Sequence, residues 1–394
     1  MCNGNASAQG GALAPTTMKR NGFTIVELMV GLAVGIILLL IVAQSYTMYE
    51  GKKRTTTGGA DAQENGLSAL RALQSDMRQG GAGFVSSQGT ACPSYVNGNG
   101  TANPLLPVQI IDGGGTANDT IVVTYGTTPA GGDSAMILEP PTGSATAATI
   151  AVQAPATAFK PQDILLLSDP GGLHSCTMVQ VASISTFGAT RVTTTAYPSG
   201  SNYSFPAGVT YGPGDAPIGG YVFNMGSMVS NQYQVLTACS ALVVSNALPG
   251  TPSPSCTMNP ETFTNTTAVA DSIVALQAQY GIAPAGSQTV NCWVNANNAN
   301  TCDTADWSAA GLLASPGNIQ RIKAIRIAVV ARNNQQEKVT PNGPVTPNAP
   351  VLWPGLANQP APTVNLSSNP NWQNFRYKVY TTIVPLKNVI WAQI

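Results

Sequence analysis

The chain has little charge. Lysine plus arginine and aspartate plus glutamate number 17 each in 394 residues, so charged side chains are 9 % of the sequence and cancel. Nothing there provides the basic footprint of a nucleic-acid binder, and no nucleic acid is expected as a partner. Histidine is nearly absent, with His174 alone, and no two cysteines have C-x-x-C spacing, so a structural zinc site lacks its ligands. There is no Walker-type phosphate loop and no Rossmann fingerprint between a strand and a helix. His174, Ser175 and Cys176 are adjacent, but neighbours in an extended segment point apart, so they form no nucleophile and base pair. Asp112, Asp119, Asp169, Asp303 and Asp306 lie in or near loops rich in glycine, asparagine or threonine, and none follows the EF-hand order. They read as loop caps, so neither metal, cofactor nor enzyme activity is expected.

What is present is one long apolar run. Residues 28–49 carry no charge, and at ~1.5 Å per residue they make about 33 Å of helix, enough for one bilayer crossing. Lys19 and Arg20 upstream favour a cytoplasmic N-terminus, whereas Lys52, Lys53 and Arg54 beyond the run oppose it, so charge alone leaves the orientation open. Glu27, at the start of the run, must lie near the interface or find a cation, because an unpaired carboxylate in hydrocarbon costs at least ~2.5 kcal/mol. It also suits the positive end of a helix dipole, and physics alone does not choose between cap and docking group.

The stretch Gly22-Phe23-Thr24-Ile25-Val26-Glu27-Leu28, with its basic leader, resembles the class III signal of type IV pilins and type II secretion pseudopilins. The resemblance implies that a prepilin peptidase cuts between Gly22 and Phe23 and methylates the new amine of Phe23. It also implies that Glu27 answers the exposed amine of a neighbouring subunit. A cut before the apolar run keeps that run attached, unlike an ordinary secretory signal. The retained helix can anchor the subunit in the membrane, then pack against its equivalents in a filament. Met18 opens a compact leader and is expected as the true start, which leaves Cys2 without a structural role.

Past the membrane run, Gly31 and Gly35 form a small-xxx-small pair that permits close helix packing. Threonines 55 to 57 with Gly58 and Gly59 are expected to bend or melt the helix. It resumes at Ala60, where Leu67, Leu70, Leu73 or Gln74, and Met77 recur at roughly helical spacing and predict the buried face. Gly80, Gly81 and Gly83 then stop it. Asp61-Ala62-Gln63-Glu64-Asn65-Gly66 and Asp76-Met77-Arg78-Gln79-Gly80-Gly81 look like the post-membrane segment of the PilW family of minor pilins. This chain has Gly66 and Leu67 where that family usually has a larger apolar or aromatic side chain. The segment from Asp271 through Tyr280-Gly281 and the ending from Phe375 to Asn388 extend the resemblance.

The rest reads as strands and turns. Forty glycines and 29 prolines call for many turns, and β-branched pieces at 121–125, 164–168, 177–181, 191–194, 221–223 and 233–236 predict mostly antiparallel strands. Residues 319–332 fit either a half-buried strand or a helix leading into a strand. Residues 84–120, 196–220 and 342–370 show little periodicity and are expected as loops. In an oxidising compartment Cys92, Cys176, Cys239, Cys256, Cys292 and Cys302 would pair. Sequence does not fix their connectivity. Proximity favours Cys292 with Cys302 and Cys239 with Cys256, leaving Cys92 with Cys176, at ~2–4 kcal/mol for each of the two short loops.

The expectation is therefore an α+β, pilin-like chain. It has a leader at 1–22, a transmembrane and filament-core helix at 23–50, an amphipathic continuation at 51–82, and a β-rich domain with long loops at 83–394. The helix would extend about 80 Å including its bend. Resemblance implies a minor pilin in type IV pilus assembly, in an initiating or tip complex. It would sit in the inner membrane with its body periplasmic, then in the pilus. Implied partners are other minor and major pilins, the prepilin peptidase, the inner-membrane assembly machinery and the lipid bilayer. Two alternatives share the helix logic: a type II secretion J-like pseudopilin, and an adhesin or binding module displayed on a pilus.

Overall fold

The computed structural model describes residues 22, 24–86, 89–90, 92–96, 102–115, 117–128, 134–139, 142–144, 147–168, 175–186, 188–197, 220–248, 251–337, 343–355, 361–367 and 369–391. Met18, Lys19, Arg20, Phe23, Cys2, Asp169 and His174 lie outside the described residues. The chain divides into two units, Met1–Arg54 and Thr55–Ile394.

In the first unit the described chain is helical from Ile25 onward, as the start of helix α1 (Ile25–Met77). No proline interrupts the run and its large apolar side chains are exposed, from Ile25 at 81 % through Leu39 at 70 % to Tyr49 at 66 %. This stretch is long and apolar enough to cross a membrane.

In the second unit α1 continues without the expected melting at 55–59, since α-helix is present through all five residues. Gly58 is buried beside Asn333, whose Cβ lies 3.6 Å from where a side chain on the glycine would begin. Tertiary contact outweighs the low helix propensity there. The buried face also differs from the leucine stripe expected. It is Gly58, Ala62, Gly66, Ala69, Leu73 and Met77, while Leu67 is 36 % exposed and Leu70 only half-buried. The face is made of small residues because a sheet approaches closely: a side chain on Gly66 would start 2.5 Å from Cδ2 of Tyr380. After Met77 the chain turns, with Gly81 and Gly83 at φ +87° and +89°, a region that favours glycine.

That sheet is four-stranded and antiparallel, in the order Cys292–Val294, Ile273–Ile282, Ile322–Arg332, Tyr377–Pro385. Residues 316–321 form a 3-10 helix leading into strand Ile322–Arg332, the second of the two readings the sequence allowed. The strand is buried on both faces rather than one. Ile325, Ile327, Val329 and Ala331 share a core with the α1 face, whereas Ala328 and Val330 pack with Leu352, Trp353, Val364 and Leu366. Leu352, Trp353, Val364 and Leu366, from a region expected only as loop, therefore cover the outer face of this terminal sheet.

A second antiparallel sheet runs Thr267–Ala270, Ala241–Asn246, Met228–Leu236, Thr120–Gly126, Val108–Ile111. Its Ile121, Val123 and Tyr233 join the same core as α1 and the terminal sheet. The third and largest sheet has strands Ser134–Met136, Tyr221–Gly226, Ile164–Ser168, Cys176–Ser185, Thr190–Ala196, Ala147–Val152 and Thr142–Ser144 along its path. Ser94–Val96 and Ala102–Pro104 attach to it, and the pairing of Cys176 with Tyr95 is the one parallel ladder among the described residues. Strands at Ser94–Val96, Ala102–Pro104 and Val108–Ile111 correct the expectation that 84–120 is loop. They are three or four residues long, too short for alternation to register.

Candidate functional site

The N-terminal site begins at Gly22, which is exposed. Two residues on, Thr24 and Glu27 close a capping box on α1. The Glu27 N–H donates to Thr24 Oγ1 at 3.2 Å, and the Thr24 N–H and hydroxyl each donate to Glu27 Oε2 at 3.4 Å. Such reciprocal bonds satisfy amides that a helix start leaves without partners. The bonds to the carboxylate are at the long end of the range, so it is weakly held. The cap reading of Glu27 thus has a geometric basis in the single subunit.

A second cluster fastens the far end of α1 to the body. Asp76 accepts hydrogen bonds from the Tyr233 hydroxyl at 2.7 Å, Asn231 Nδ2 at 2.6 Å and the Tyr125 hydroxyl at 3.3 Å. Burial first, and then the Asp76 carboxylate, push both phenols up, Tyr125 to about 12, so both stay donors over the ordinary pH range. Gln74 Nε2 donates to Thr382 Oγ1 at 2.6 Å, and Asn388 Nδ2 donates to the carbonyls of Gln79 and Gly80. In the sequence Asp76 stands out only as part of the stretch that looks like the family's post-membrane segment.

Of the aspartates singled out as loop residues, the four described, Asp112, Asp119, Asp303 and Asp306, accept backbone amides. Asp112 accepts from the Gly114 amide at 2.7 Å and from Asn297, Asp306 from the Ser308 amide, and Asp303 from the Ala305 amide while pairing with Arg321 at 2.5 Å. Asp119 is nearly enclosed, at 4 % exposure, and receives the Gly113 amide at 3.1 Å and the Ala278 amide at 2.7 Å. Burial pushes its carboxyl up to about 7 against the pull of those two amides, with Asp112 adding to the rise. Together with Asn118, which accepts from the Leu276 amide, it seals the edge of strand Ile273–Ile282 that Cys292–Val294 leaves uncovered.

Three disulfides brace the body: Cys92–Cys176, Cys239–Cys256 and Cys292–Cys302, with Cα separations of 5.7, 6.4 and 6.1 Å. The second and third are the pairs that proximity favours, and the first is the pair they leave. The first holds the short Ser94–Val96 strand beside Cys176–Ser185. The second ties the turn after Met228–Leu236 to the hairpin of Ser255–Thr257 and Thr262–Thr264. The third closes the loop after Cys292–Val294.

An exposed apolar helix that continues into a helix packed on an antiparallel body defines a pilin-like protein. The profile of the prokaryotic N-terminal methylation motif matches residues 17–43. That of the Type IV Pilus-assembly protein W family, PilW, matches residues 241–388, which include the whole terminal sheet. Together the two matches support a PilW-family type IV pilin. No curated protein and no solved structure matches it.

Proposed function

We propose that this chain is a minor pilin that takes part in building the type IV pilus, within an initiating or tip complex. The observation that carries the reading is the methylation motif on an apolar helix whose large side chains are all exposed in the single subunit. Surface of that kind needs lipid or other helices around it. In this reading a prepilin peptidase cuts between Gly22 and Phe23. The subunit then waits in the inner membrane, its N-terminus cytoplasmic and its body periplasmic, until other minor and major pilins gather beside it. Residues 23–50 serve as the bilayer and filament segment, 51–82 as the continuation, and 83–394 as the body.

Glu27 then has two successive partners. Thr24 holds it in the isolated subunit, through bonds long enough to be exchanged at little cost for the amine of a neighbouring Phe23. Glu27→Gln separates the two roles, because glutamine still closes a capping box but brings no charge. The variant should be cleaved and membrane-anchored as usual yet depleted from purified pili. Wild-type amounts of the variant in pili would remove the docking role.

A further inference from the structure

The body contains a cleft that assembly through the helix does not use. It measures about 420 Å³ and opens where strand Ile322–Arg332 ends. Arg332 and Tyr377, register partners in the terminal sheet, form one wall. The turn at 237–240, tied down by Cys239–Cys256, forms a second, and Asn365, Leu366 and Asn369 form a third.

Arg332 carries the single charge among the described lining residues. Arg191, Arg321 and Arg376 each pair with a carboxylate, to Glu139, Asp303 and Glu337. Among the described residues Arg332 has none. Its guanidinium lies 4.6 Å over the Phe375 ring, its Nη2 donates to Ser240 Oγ at 3.4 Å, and its Nε is buried without an acceptor. Stacking thus fixes the plane of a fork that is not neutralised, and such a fork matches the two oxygens of a carboxylate. Thr237 and Asn369 line the same cleft with Ser240, and Val274 and Leu366 add apolar side chains to it. The volume suits one small molecule or one unit of a chain, not a folded surface.

We propose that this cleft binds an acidic sugar: Arg332 grips the carboxylate, and the 237–240 turn with Asn369 reads the hydroxyls. The site lies wholly within Thr55–Ile394, so it stands or falls independently of the role of Glu27.

The test is calorimetric titration of the full-length protein in detergent micelles with sodium galacturonate. Saturable binding is expected, with a Kd on the order of 1 mM. Galactose, which lacks the carboxylate, and propionate, which lacks the hydroxyls, should each bind at least about tenfold more weakly. Arg332→Gln should weaken galacturonate by a similar factor. Asn369→Asp serves where the arginine variant fails to fold. Its carboxylate can still accept the Asn371 amide that Asn369 Oδ1 now accepts at 2.9 Å, but it puts a negative charge at the cleft. Tighter binding of tetragalacturonate would assign the site to a polysaccharide, and equal binding to the free sugar. Galacturonate that fails to saturate, binds no better than propionate or galactose, or is unaffected by both variants would overturn the proposal.

Discussion

Gly66 on α1 sits against the ring of Tyr380 on the last strand, so close that a first side-chain carbon on the glycine would start 2.5 Å from Cδ2. The helix descends onto the terminal sheet at this point because neither backbone nor side chain on the helix stands in the way. Residue 66 is also where the chain departs from the larger side chain usual in the family it resembles, and Tyr380 fills the space.

The pair gives a test in which the sign matters. Gly→Ala within a helix ordinarily stabilises by ~1 kcal/mol. Here Gly66→Ala should destabilise by ~1–3 kcal/mol, because the overpacked ring must move. Leu67→Ala, one residue along and partly exposed, should change stability by about 1 kcal/mol or less. Urea unfolding in micelles measures both, and a stabilised Gly66→Ala would contradict the close approach. Adding Tyr380→Ala to Gly66→Ala should recover part of the loss specific to the clash.

Asp76 sets the strength of the helix anchor. Asp76→Ala leaves Tyr233, Tyr125 and Asn231 without their acceptor and should cost ~2–4 kcal/mol. Hydrogen exchange should then show residues 60–77 opening before the terminal sheet. Exchange that rises equally in both would mean that Asp76 does not hold the helix separately.

Part of this architecture is legible in the sequence. The apolar run, the stop at Gly80 and Gly81, and the strands centred on Val122, Leu166, Val179 and Val192 are local patterns, and local chemistry decides them. Of the expected helix face, Leu73 and Met77 are buried and Leu70 half-buried, but Leu67 is exposed, and small residues take the positions before it. The choice of Ala62, Gly66 and Ala69 depends on Tyr380, more than 300 residues later. Likewise, the alternation of strand Ile322–Arg332 announces one buried face, and only the packing of Trp353 and Leu366 buries the other. Asp119 and Arg332 looked ordinary because enclosure and the lack of a carboxylate partner are tertiary facts.

Asp119 makes stability depend on pH in an identifiable window. Its folded carboxyl is raised from 3.8 to about 7, so the folded state holds the proton more tightly than the unfolded chain. Its contribution is complete below about pH 4 and is lost as pH rises towards 7, amounting to at most ~4 kcal/mol. Asp112 and the Tyr280 hydroxyl are the titratable neighbours that act on it electrostatically. The melting temperature of the wild type relative to Asp119→Asn should therefore fall between pH 4 and 7 and level off above. A difference that is flat or rises across this window would show Asp119 to be ionised in the fold, held by its two amides.

The central claim is that the apolar helix stays on the exported subunit after the leader is cut and carries it into the filament. Mass spectrometry of the N-terminal peptide from this protein in purified pili tests it most directly. The account requires a chain beginning at N-methylated Phe23 with residues 23–50 intact. A pilus-associated chain that keeps Gly22, or one that lacks the apolar segment, would contradict it.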